Sequence, residues 1–164
     1  MGLTLPVGAR TSGAMAHDPF VEPEEPTAEA AIAAIDEELG LFDDWMERYQ
    51  YIIDLGRKLP HFPEAWTDDA HRVPGCQSKV WMEAQRRGDR LYFAGASDAA
   101  IVSGLVALVL RVYSGRGTAE IAATDPVFLK ELGLLEALST NRGNGIAAMA
   151  RKLREVAAQE SARA

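Results

Sequence analysis

Apolar positions recur at helical spacing from Thr27 onward: Ile32, Ile35 and Leu39 fall on one stripe, Thr27 stands where an N-cap belongs, and Gly40 supplies the stop. A second helix opens at Asp43 or Asp44, whose carboxylates suit the positive end of a helix dipole. It carries Trp45, Tyr49, Ile52 and Ile53 on one face, a core stripe and not a cofactor box, and ends at Leu59-Pro60. His61 to His71, with Pro63 and Asp68-Asp69, reads as a loop. The period then changes. Gln77 to Gln85 partly alternates and Leu91 to Ala94 is rich in β-formers, so with Arg87-Gly88-Asp89 between them they predict a β-hairpin; Arg72-Val73 can add a short third strand. Ser97 is placed to cap the next helix, with Asp98 in its first turn. The apolar residues from Ile101 to Val112 cover most of that helix, which makes it central. Ser114-Gly115-Arg116-Gly117-Thr118 has the look of a phosphate loop but lacks its Gly-Lys-Ser/Thr ending and a preceding strand; it reads as a C-cap followed by an N-cap. Short helices follow over Thr118–Ala123 and Pro126–Leu132. A last helix starts after Ser139, with Ile146, Met149, Leu153 and Val156 on one stripe and a charged outer face. This order predicts an α+β fold, a small antiparallel β-sheet of about three strands with helices packed on one side. Residues 1–26, punctuated by Gly and Pro and acidic from Asp18 to Glu25, predict a disordered N-terminal tail before a single domain over 27–160.

Composition narrows the partners. The chain of 164 residues carries a formal net charge of −7, which argues against nucleic acid and weakens binding to anionic membranes. The longest apolar run, Leu105 to Leu110, is far short of the ~20 residues of a membrane span. The first residues contain Arg10 but no compact apolar region, so no secretory signal is expected; Met15 is an alternative start. The single cysteine fits a reducing compartment, and the expected location is cytoplasmic.

That cysteine, Cys76, follows a Pro74-Gly75 turn and precedes a strand. It has no disulfide partner, and a lone thiol is a poor start for a zinc site; the spacing of Asp69, His71 and Cys76 matches no metal-ligand pattern. Two readings stay open, a small apolar filler or a working thiol. The turn setting favours the working thiol, because turns lie at surfaces. His71, five residues before the thiol, could approach it as a Cys–His pair, and Lys79 is a cation able to favour the thiolate, but for each an exposed surface residue is the default reading. His17 and His61 have no companion that suggests a role.

The stretch Arg72-Val73-Pro74-Gly75-Cys76-Gln77-Ser78-Lys79-Val80-Trp81 resembles the signature of the SufE family of sulfur-acceptor proteins (SufE- and CsdE-like). The likeness extends through Tyr51–Arg57, Leu59-Pro60, Ser97–Leu105, Tyr113–Gly115 and Leu138–Gly145, covering about Leu41 to Val156. Thr140 and Gly143 stand where the family more often has Pro and Ser. The resemblance implies an α+β fold similar to the IscU-type scaffold proteins. It also implies a partner of a cysteine desulfurase of the SufS or CsdA type, feeding sulfur to an iron–sulfur scaffold complex. Pyridoxal phosphate would belong to that partner, and this chain would need no cofactor beyond a covalent persulfide on Cys76. With one cysteine, it would carry sulfur and not a cluster. Gly75 supplies the backbone freedom for the Cys loop to swing, and Gln77 beside the thiol is a candidate for partner binding or loop gating. The resemblance further implies that Asp98 tunes the packing near that loop and that Arg142 contacts the desulfurase. A free-standing Cys–His hydrolase and a regulator of a desulfurase that carries no sulfur are the alternatives.

Overall fold

Helices cover one face of a three-stranded sheet, and Phe20 with the loop that carries Phe62 and Trp66 covers the other. The computed structural model describes residues 18–134 and 140–163, without the side chains of 140–144 and 163; the expected tail over 1–17 lies outside the described residues. Helix α1 (Ala28–Leu39) is capped as predicted, Thr27 accepting from the Ala30 amide, and α2 (Trp45–Arg57) opens on Asp44, which accepts from the Glu47 amide. Strands β1 (Val80–Arg87) and β2 (Arg90–Ser97) pair antiparallel with Val80 opposite Ser97 and Arg87 opposite Arg90. That register leaves Gly88-Asp89 as a two-residue turn, with Gly88 at φ +65°, the backbone such a turn demands. Helix α3 (Ala100–Tyr113) follows, then β3 (Arg116–Gly117), α4 (Thr118–Ala123), α5 (Phe128–Glu131) and the long α6 (Thr140–Arg163).

Alternation sorts the hairpin's side chains. Val80, Met82, Leu91 and Phe93 join the main core beneath α3, where Leu105, Val106, Val109 and Val112 are fully buried, each side chain contributing roughly 1.5–3 kcal/mol. Helices α2 and α3 cross unusually close. A Cβ added to Gly104 would stand 2.0 Å from the Ile52 carbonyl oxygen, so even Gly104→Ala would force the two helices apart.

The opposite face, with Trp81, Tyr92, Ala94 and Ala96, packs against Phe20, Phe62 and Trp66. Residues 18–26, expected to end the disordered tail, therefore belong to the fold. The Val21 amide donates to the Phe93 carbonyl at 2.9 Å, Ser114 Oγ donates to the Val21 carbonyl at 2.6 Å, and Arg116 donates to the Glu25 carbonyl at 2.7 Å. Phe20 is the physical reason: it buries against Trp66 on a sheet face that would otherwise be apolar and wet. Glu25 and Glu38 both bind the Arg111 guanidinium, with contacts at 2.6 and 2.7 Å, and Tyr51 donates its hydroxyl to Glu38. Burial and that carboxylate together push the Tyr51 phenol up to about 12.

Two further expectations change. The third strand is β3, within the segment read as a pair of caps; it pairs with Arg90 and Leu91, and buried Arg116 bonds three main-chain carbonyls from beneath it. Arg72-Val73 makes only one bridge, Arg72 opposite Trp81. Helix α3 begins at Ala100, so Ser97 ends β2 and Asp98 precedes the helix; no side chain caps it.

Candidate functional site

The backbone turns left-handed at Gly75, φ +86°, just before Cys76. A non-glycine residue is strained there, and Gly75 also lies against α6, where an added Cβ would be 3.4 Å from Ala148 Cβ. Both ends of the loop are fixed. On one side the Val73 amide donates to the Val80 carbonyl at 2.8 Å. On the other, Asp98 accepts from the Lys79 amide at 3.1 Å, while the Asp98 amide and the Ser97 hydroxyl both donate to the Lys79 carbonyl. Residues 74–78 are the span between these two clamps.

Within that span Cys76 is half-buried and turned inward. Its Sγ donates to the Gly145 carbonyl oxygen at 3.5 Å. A cavity of about 290 Å³ adjoins the sulfur. Val102 and Leu105 of α3 and Gly145, Ile146 and Met149 of α6 wall it, and Gln77 and Ser78 line its loop side. Gly145 has no side chain to stand between helix and thiol; its added Cβ would lie 3.7 Å from Sγ. Burial pushes the Cys76 thiol up, and the Arg72 guanidinium draws it part of the way back. The resting group is a neutral S–H, a poor nucleophile until it is moved to water.

The histidine drops out of this chemistry. His71 Nδ1 lies 2.6 Å from Asp68 and Nε2 lies 3.2 Å from Glu83, and the ring stacks on Trp66, so both nitrogens serve a loop cluster and neither faces the thiol. Lys79 is exposed; among the described residues Arg72 is the cation that acts on Cys76. Among the described residues no three His, Cys, Asp or Glu side chains gather into a metal site, and no helix is long and apolar enough to cross a membrane.

The structure thus brings Gly75, Cys76 and Gln77 together on one loop and puts Asp98 at that loop's exit clamp. Arg142 lies in the first turn of α6, and its side chain is outside the described residues. Sequence reasoning missed Arg72, Gly145, Ile146 and Met149. The first was legible as a charge four residues before the thiol; the others lie some seventy residues downstream, and no local pattern joins them to it.

The sequence that carries this site has counterparts in known proteins. Residues 33–157 match the family described as SufE: Fe-S metabolism associated domain. The chain belongs to the SufE family. An uncharacterized SufE-like protein of Rhizobium etli is 41% identical over 133 residues, covering 78% of this chain and 90% of its own length. Another from Rhizobium meliloti is 40% identical over 126 residues, covering 74% and 90%. A solution structure of a hypothetical protein from Thermus thermophilus superposes with a TM-score of 0.66 at 19% identity, over 79% of this chain and 94% of that one. That last likeness speaks for the fold alone. SufE membership ties the chain to iron–sulfur metabolism.

Proposed function

We propose that this SufE-family chain accepts persulfide sulfur on Cys76 from a cysteine desulfurase of the SufS or CsdA type and passes it to an iron–sulfur scaffold complex, in a reducing, cytoplasmic setting. The observation that carries this reading is the inward-turned Cys76, the chain's one thiol, latched to the Gly145 carbonyl in a walled cavity at the end of a glycine hinge.

The chemistry follows from that setting. The desulfurase offers a cysteine persulfide. The Cys76 thiolate attacks its outer sulfur, the donor's S–S bond breaks, and the donor leaves as a thiolate. No oxidant or reductant is needed, and no cofactor is required of this chain. Attack needs the thiolate, which burial of Cys76 disfavours, so productive transfer requires residues 74–78 to swing out on docking. Gly75 allows the swing and the Asp98 clamp limits it; Gln77, exposed beside the thiol, and Arg142 are assigned to contact with the desulfurase.

Incubation with a cysteine desulfurase and cysteine, followed by mass spectrometry of the intact chain, tests the reading. Wild type should gain sulfur-mass increments and Cys76→Ser none. Equal labelling of both proteins would refute the assignment. Full stimulation of the desulfurase by Cys76→Ala would instead make the chain a regulator that carries no sulfur.

A further inference from the structure

The hydrogen bond that Cys76 makes to Gly145 is one that it gives, and it gives it as an uncharged group. The helix walls, Val102, Leu105, Ile146 and Met149, offer nothing to solvate an anion, and the polar side chains that line the cavity, Gln77 and Ser78, belong to the loop itself and travel with the sulfur. The charges near the sulfur are few. Arg72 acts on it from the loop's own approach, less strongly than burial opposes it; Lys79 and Asp98 are exposed at the exit clamp; among the described residues, the side chains that α3 and α6 bring to the cavity (Val102, Leu105, Ile146 and Met149) are all apolar.

A second sulfur alters this balance without altering the fit. The cavity of about 290 Å³ has room for an added atom, since a water-sized group takes ~30 Å³, so crowding does not evict a persulfide. Charge does. An S–S–H is a stronger acid than a thiol because the neighbouring sulfur spreads the charge of the anion. After transfer its proton goes to water and leaves Cys76–S–S⁻. That anion has no proton to give to the Gly145 oxygen, which now repels it.

We propose that loading itself releases the loop: the neutral thiol is latched in the cavity, and the negative charge that arrives with the second sulfur expels residues 74–78 to solvent. The proposal rests on the reading of Cys76 as a persulfide carrier. It makes the cavity a discriminator of loaded from unloaded carrier, holding back the thiol and presenting the persulfide to the next acceptor. The two clamps, Val73 on Val80 and Asp98 on Lys79, confine the movement to the span between them.

The test uses the full chain without a desulfurase. Inorganic polysulfide loads Cys76 by the same exchange: the thiolate takes one sulfur, a polysulfide S–S bond breaks, and the shorter polysulfide leaves. Methyl methanethiosulfonate gives Cys76–S–S–CH₃ with loss of methanesulfinate, a neutral group that is longer still. Hydrogen exchange of the amides of residues 75–78 is then compared for thiol, persulfide and methyl disulfide. The persulfide should speed exchange at least tenfold at neutral pH and lose that effect on acidification through its own titration, after correction for the intrinsic pH dependence of exchange. The thiol and the methyl disulfide should stay slow. Equal rates for persulfide and methyl disulfide, whether both slow or both fast, would overturn the proposal while leaving the carrier reading intact; failure of transfer from a desulfurase would overturn the carrier reading without touching this result.

Discussion

Gly75→Ala puts the latch under a known strain. At φ +86° a residue with a Cβ pays roughly 1–2 kcal/mol relative to the right-handed regions. The new methyl would meet Ala148 Cβ at 3.4 Å, an ordinary contact, so no clash adds to this figure. Once residues 74–78 leave the cavity the alanine is free to relax, and the strain therefore weighs on the retracted state alone. Since about 1.4 kcal/mol is a factor of ten, the ratio of extended to retracted loop should rise roughly 5- to 30-fold. Alkylation by iodoacetamide reads that ratio directly, because reaction through a transient opening scales with the open population. The native rate should climb by the same factor towards the rate in urea, which should be the same for both proteins. Loss of global stability in urea titration should stop at the free energy of loop opening. An unchanged native alkylation rate, with the whole strain appearing as lost global stability, would show that the loop has no accessible extended state and refute the hinge.

Four shorter predictions follow from the same geometry. Asp98→Ala removes the acceptor of the Lys79 amide but leaves the main-chain clamp, so alkylation should quicken about two- to tenfold, the worth of one modest hydrogen bond, with the fold retained by circular dichroism. Arg72→Met removes the cation that favours the thiolate, so the Cys76 titration followed by pH-dependent alkylation should move to higher pH; a shift to lower pH would contradict the assignment. Burial pulls the His71 pKa down, but the hydrogen bonds its imidazolium donates to Asp68 and Glu83 lift it above normal overall, so its contribution to stability is full below about 6.5 and fades as pH rises through the folded value. His71→Gln should thus lower Tm more near pH 6 than near pH 8. Arg111→Met strands the Glu25 and Glu38 carboxylates and should cost roughly 2–3 kcal/mol in urea unfolding, less than a fully buried pair because Glu38 keeps 32% of its side-chain exposure.

What was legible in the sequence is what local rules govern. Thr27 and Asp44 cap helices because their side chains reach amides three residues on, and the Gly88-Asp89 turn follows from two β-rich runs a short step apart. The circumference of α3 announced its burial. What failed depends on distant partners. Phe20 sits in an acidic, Pro-rich context that reads as a tail, and only the bare face of Ala94 and Trp66 explains its order. Arg116 reads as solvent-facing by residue type, yet carbonyls of Glu25, Arg111 and Val112 converge on it. At the site, Cys76 and its turn were visible, while the latch was not, because Gly145 is 69 residues away and contributes a carbonyl, which every residue has.

The strap formed by residues 18–26 has a practical consequence for anyone trimming the protein. The family match begins at residue 33, and a fragment cut there would keep Cys76, its cavity and both clamps. It would also lose Phe20, Val21 and Glu25, opening the Phe93 carbonyl and the aromatic surface of Phe62 and Trp66 to water and depriving Arg111 of a carboxylate. An unpaired strand edge beside apolar rings is a template for self-association. Such a fragment should precipitate or form soluble aggregates, and its silence in a sulfur-transfer assay would report on colloidal behaviour and not on the thiol.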